Sequence, residues 1–151
     1  MKPIAKPIAV LVVFGILIGA AYAQFAKPED AIKYRQSVMF VIAQHFGRLG
    51  AMVKGKQPYD QKAFASNTAV IESLSGLAWE AFLVPGSDRG KTTMKSSVLK
   101  NPDGFKSLSQ QYQSEVGKLS ADAKGSDFNA IKAQFGSVAQ SCKNCHSKTR
   151  K

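Results

Sequence analysis

The sequence predicts an all-α protein: an antiparallel, up-down-up-down four-helix bundle spanning residues 24–151, behind an export peptide at 1–23. Three observations carry this. No stretch after residue 23 alternates apolar and polar residues with period two. Four segments repeat apolar residues at helical spacing. Two of the three connections between them are short, and helices joined by short connections pack as antiparallel neighbours.

The first 23 residues form a processing signal. Met1 to Lys6 is a short basic n-region, Ile8 to Ala20 is apolar, and Ala21-Tyr22-Ala23 is an A-x-A cleavage site. The apolar run is shorter than a membrane span requires, so cleavage before Gln24 is expected, with no stable membrane insertion afterwards. The destination expected is the bacterial periplasm. The whole chain carries +11; Lys2 and Lys6 leave with the peptide, so the mature 128 residues carry +9.

The first helix opens on Pro28-Glu29-Asp30, a proline and two acids where a helix N-terminus favours them. Ile32, Met39, Phe46 and Val53 recur every seven residues, and Ile42 and Leu49 fill the second seam position. Arg35 occupies that same apolar seam. Gly55 and Pro58 end the segment. Val38, Phe40 and Val41 lie off the main stripe as an extra apolar patch.

The second helix starts at the N-cap Asp60, with Phe64, Ile71 and Ala78 in register and Val70, Leu74 and Leu77 beside them. Pro85 to Gly90 then breaks the pattern. The aperiodic stretch runs to about Asn101, a length that in a small domain points to function. The third helix begins at Pro102-Asp103 and carries Phe105, Leu108, Tyr112, Val116, Leu119 and Ala123 on one face, up to Gly125. The fourth starts at Asp127 and carries Phe128, Ile131, Phe135, Val138 and Cys142. Each helix is expected to hold about 16 to 25 residues, or roughly 24 to 38 Å.

The chemistry lies at the end of the fourth helix. Cys142-Lys143-Asn144-Cys145-His146 is C-x-x-C-H, the attachment signal for haem c. On a helix the three functional positions share one face. Two thiols can form thioethers to two vinyl groups along one porphyrin edge, and the adjacent imidazole of His146 can reach the iron. Three rivals fare worse. A disulfide between helical cysteines three apart is strained and closes almost no loop. A thioredoxin-type pair expects a helix N-terminus. A zinc site would have to recruit His45, and adjacent Cys145 and His146 close a tetrahedron poorly. No methionine follows His146, so any sixth iron ligand must come from upstream.

An exported bundle with this motif on its last helix resembles the cytochrome c' family. The resemblance rests on Gln24 to Asp30, Lys33-Tyr34-Arg35-Gln36, His45-Phe46-Gly47-Arg48, Val53-Lys54-Gly55, Pro58-Tyr59, Trp79 to Phe82, and Cys142 to His146 with Arg150. It covers the mature chain and departs from the family in the 83–101 loop, where Ser96-Ser97-Val98-Leu99 replaces a Pro-Glu-Ile-Trp-like stretch.

That resemblance implies one haem c per chain, held by Cys142 and Cys145 with His146 as the metal ligand. A buried guanidinium on an apolar seam calls for a carboxylate partner, so Arg35, with Gln36, is expected to contact the haem propionates. The resemblance puts Met39 and Phe82 at the distal iron face, Arg150 beside the proximal imidazole, and Thr92 and Thr93 near a propionate. Ordinary roles compete: Met39, Phe82 and Trp79 as core, Arg150 as a cation complementing the helix C-terminus. His45 is read as a bundle-edge residue.

The function expected is a periplasmic protein with five-coordinate, high-spin iron that binds NO and CO at an apolar face or takes part in electron transfer. The alternative is a six-coordinate electron carrier docking acidic redox partners. The lysines are scattered rather than gathered in a stripe, so no nucleic-acid partner is expected. No motif places an acid/base pair by the haem, so no enzyme is expected. A homodimer through helices one and two is implied by the resemblance and served by the Val38, Phe40 and Val41 patch.

Overall fold

The computed structural model describes residues 24–151; the export-peptide reading of 1–23 lies outside the described residues. Five α-helices follow in order: α1 Pro28–Val53, α2 Gln61–Leu74, α3 Ser97–Lys100, α4 Pro102–Asp122 and α5 Phe128–Thr149, with a 3-10 turn at Glu80–Phe82. The four long ones form the bundle. α1 packs on α2, α2 on α4, α4 on α5, and α5 returns to α1.

The ends form where the sequence places them. Asp60 accepts from Ala63 N at 2.9 Å, and Asn101 accepts from Gly104 N at 2.9 Å. The Asp127 carboxylate accepts from Asn129 N at 2.9 Å and Ala130 N at 3.1 Å. Each cap satisfies N–H groups that the first helical turn leaves unpaired. After α1 the chain reverses through Gly55, whose φ of +68° favours a residue without a Cβ.

Phe64, Leu49, Ile71, Leu119, Ile131, Val116 and Val138 fill the core. Gly50 lets α1 approach α5 there: a Cβ on it would sit 3.3 Å from the Phe135 ring, which stacks on Phe46 with centroids 4.3 Å apart.

Two expectations change. α2 has 14 residues against 26 for α1, so it is shorter than its periodicity suggests. Ser75 caps it, its Oγ donating to Glu72 O, and the Trp79 indole takes the Ser75 carbonyl at 2.5 Å. The chain therefore turns away before Leu77, which is exposed, and Ala78, which is buried outside the helix. Val38 belongs to the core rather than to a surface patch; Phe40 and Val41 alone remain exposed.

The short α2 leaves one end of the bundle without its second column, and residues 75–101 fill that place. The chain end is stitched to this segment. Lys95 N donates to Thr149 O and Lys151 N to Thr93 O, both at 2.8 Å, around an antiparallel bridge between Met94 and Arg150. No helix among the described residues is long and apolar enough to cross a membrane.

Candidate haem-binding site

At this end of the bundle lies a mostly apolar cavity of about 600 Å³, within the range of cofactor sites. α5 contributes Cys142, Cys145, His146 and Thr149, Arg150 follows at its C-terminus, and α1 contributes Arg35, Gln36, Met39 and Phe46. Trp79, Phe82, Thr92, Thr93, Met94 and Tyr112 complete the wall. Every residue that the sequence suggested for the site lines this one cavity. His45 does not; its Nδ1 is bonded to Asn67 Oδ1 at 2.8 Å, so the recruitment that a zinc site would require is not met.

Neither cysteine is in a disulfide. Burial raises the pKa of each, and for Cys142 the neighbouring Cys145 adds to the rise. These are protonated thiols held in an apolar wall, the reverse of the depressed pKa of a redox-active pair. His146 is shifted the other way, first by desolvation and then by the Arg150 charge. Its imidazole is thus neutral, with a lone pair free for a metal.

Arg35 is 2% exposed, yet its partners are not carboxylates. Nη1 donates to Ala81 O and Ser87 Oγ, both at 2.9 Å; Nη2 donates to Ser87 O at 2.6 Å and Thr92 Oγ1 at 2.9 Å. Its guanidinium carbon lies 4.8 Å from the Phe82 ring centroid. Its direct partners are neutral oxygens of the 81–92 segment, which it anchors to α1 through its two Nη groups, while the Asp88 carboxylate acts on it through its charge without a direct bond. Gln36 does likewise, donating to Lys91 O at 3.0 Å.

The cavity fits a haem. One polar atom in its wall is orphaned: Tyr112 Oη is buried without a hydrogen-bond partner, and burial raises its pKa. A buried hydroxyl left unpaired is costly, and a group filling the cavity could satisfy it. The two thiols and one neutral imidazole on a single wall are the donor set that haem c uses.

Comparison with known proteins agrees. The Cytochrome C' family profile matches residues 30–150. The chain belongs to the cytochrome c' family. Cytochrome c' of Alcaligenes xylosoxydans xylosoxydans is 44% identical over 128 residues, covering 85% of this chain and 98% of that protein. The crystal structure of cytochrome c' from Rubrivivax gelatinosus superposes with a TM-score of 0.80 at 45% identity, covering 85% of this chain and all of that one. A nitric oxide complex of a variant of the Alcaligenes xylosoxidans protein gives 0.79 at 43% identity, covering 85% and 98%. A further variant of the Alcaligenes xylosoxidans protein has been solved with carbon monoxide bound. The family binds haem c, and this chain carries the two cysteines for covalent attachment.

Sequence reasoning missed Met94, Tyr112 and Ser87, and placed Thr92 at the site without its bond to Arg35. Tyr112 was visible only as one more apolar position on its helix face. Met94, Ser87 and Thr92 lie in an aperiodic stretch, and long-range pairing with α1 and the chain end brings them to the site.

Proposed function

We propose that this chain is a periplasmic haem c protein, exported by residues 1–23 and folded over 24–151, that binds nitric oxide and carbon monoxide at five-coordinate, high-spin iron. In this reading Cys142 and Cys145 form the thioethers and His146 is the single protein ligand. Arg35, Gln36 and Thr93 face the propionates, Met39 and Phe82 wall the gas-binding face, and Arg150 lies beside the imidazole. When bound, the haem supplies an iron that cycles between ferric and ferrous and binds diatomic gases. The chain's own residues hold it, keep His146 neutral and restrict access.

The observation that carries this is the single apolar cavity shared by Cys142, Cys145, His146 and Met39. Similarity to proteins solved with nitric oxide and carbon monoxide supports the choice of ligands. An apolar face offers bound O2 no hydrogen bond, which disfavours oxygen carriage. No enzymatic activity and no nucleic-acid partner are proposed. The homodimer reading rests on Phe40 and Val41 of α1, 64% and 38% exposed, as the surface a second copy would cover.

A second reading, a six-coordinate electron carrier, draws on two thioethers in the cavity wall, Met39 and Met94. Optical and EPR spectra decide between them: high-spin iron supports gas binding, and a low-spin ferrous spectrum at neutral pH supports the carrier. Attachment is tested separately. The mass of the mature chain should exceed its polypeptide by one haem, and acid-acetone should fail to extract it.

A further inference from the structure

Gas binding to reduced iron requires that something reduce it, and the chain presents a surface suited to that donor. The segments 89–95 and 148–151 hold Arg89, Lys91, Lys95, Lys148, Arg150 and Lys151 and no acidic residue. The fold joins them through the pairing of 93–95 with 149–151, and Lys95 Nζ donates to Ser147 O at 3.1 Å. The joined segments also border the cavity, since Thr92, Thr93, Met94, Thr149 and Arg150 line it. The joined segments thus carry six cations beside the cavity: Arg150 lines its wall, Lys148 lies one turn from it over the groove between α4 and α5, and all but the half-buried Lys95 are exposed.

None of the six is in an ion pair; the one pair among the described residues, Lys118–Glu115, lies on α4. One acid, Asp88, accepts from Ser96 Oγ at 2.5 Å and lies within electrostatic reach of Arg89 and Lys151, and also of the buried Arg35. Asp88 and two haem propionates would still leave the rim positive. Complementing the C-terminus of α5 accounts for Lys148 and Arg150. It does not account for Arg89, Lys91 and Lys95, which sit on the loop. Like charges held together repel, and such rims characteristically set association rate and partner choice.

We propose that this rim is the docking surface for an acidic electron-donor protein, which gives one electron to the haem at the edge of the cavity. The step is an outer-sphere transfer: the donor is oxidised by one electron, ferric iron becomes ferrous, and no bond is made or broken. The proposal rests on the haem reading above.

The test uses the holoprotein and a reduced plant-type ferredoxin as the acidic probe. Binding is read by NMR chemical-shift footprint and by Kd at two salt concentrations, and reduction by stopped flow. Shifts should map to 89–95 and 148–151, and affinity should fall about tenfold or more between about 20 mM and about 200 mM salt. The Lys91→Glu/Lys148→Glu double variant should weaken binding and slow reduction about tenfold. The Lys56→Glu/Lys62→Glu variant, with the same net charge change at the opposite end of the bundle, should alter either by less than about twofold.

Equal effects of the two variants, or a footprint elsewhere, overturn the proposal. So does binding to phosphatidylglycerol vesicles through Lys91 and Lys148 without binding to ferredoxin. Carbon monoxide titration of the same variants separates the two readings: intact gas binding with no docking defeats the rim alone. A low-spin wild type defeats the gas reading and leaves the rim judged by its own footprint.

Discussion

Replacing Arg35 with Met should release the segment that closes the cavity. Methionine fills much of the space of the arginine stem but donates nothing. Four hydrogen bonds disappear, to Ala81 O, Ser87 Oγ, Ser87 O and Thr92 Oγ1. Hydrogen bonds to a charged group contribute about 1.5–3 kcal/mol each, so the gross loss is large. Two terms offset it. Burying a guanidinium without a hydrogen-bonded carboxylate costs several kcal/mol, which the Asp88 charge offsets only in part and which the variant recovers. Some acceptors also keep a second partner: Thr92 Oγ1 still accepts from Met94 N at 3.1 Å, and Ser87 Oγ still reaches Ala81 O at 3.5 Å. Ser87 O loses its only side-chain donor. The net destabilisation should be about 2–4 kcal/mol. Urea denaturation followed by circular dichroism measures it. Hydrogen exchange localises it: amides of 87–92 should lose protection, while those of Lys95 and Lys151, held by the chain-end pairing, should keep theirs. Arg35→Lys keeps the charge but not the planar fork and should recover less than half. A loss below about 0.5 kcal/mol, or unchanged exchange at 87–92, would refute the anchoring role.

Met39→Ala should raise carbon monoxide affinity by about 1–3 kcal/mol, because a side chain over the iron must move before a diatomic enters; unchanged affinity in a gas titration would remove the gate. It should also cost some stability through the cavity left behind, seen as a lower Tm. Phe40→Asp should shift a dimer towards monomer, since an interface cannot bury an unpaired carboxylate cheaply; light scattering that shows a monomeric wild type would defeat the premise. Tyr112→Phe should change the pH profile in a fixed direction. Burial holds the native phenol protonated above its ordinary range, so the wild type keeps this contribution below pH ~10 and loses it as the unfolded chain ionises above that value. By pH ~11 the wild type should have lost about 1.4 kcal/mol more than the Phe variant, and parallel stability curves from pH 8 to 11 would contradict this.

Local chemistry wrote much of this protein into its sequence. Asp60, Asn101 and Asp127 cap because a short oxygen-bearing side chain can satisfy N–H groups two or three residues ahead. The C-x-x-C-H spacing is equally local, since one helical turn brings Cys142, Cys145 and His146 to a common face. Periodicity gave the core, from Leu49 to Val138. It failed at Leu77 and Ala78, where the hydrophobic register continues past Leu74 although the helix does not. There a local side-chain contact, the Trp79 indole donating to the Ser75 carbonyl four residues back, ends the helix where the apolar pattern would continue it. It failed at Val38 too, because which side of α1 is buried depends on where α2 and α5 stand. The 83–101 stretch carries no period at all, and its fold comes from contacts some fifty residues away: Arg35 with Ser87 and Thr92, Thr93 with Lys151, Lys95 with Thr149. The sequence alone therefore determined four helices, their caps and the cofactor motif, because those depend on neighbours within a turn or two. Only the tertiary structure decided what Arg35 holds, how Ser87 and Met94 join the site and where the basic segments 89–95 and 148–151 meet, because those depend on segments that become neighbours only once the bundle has closed.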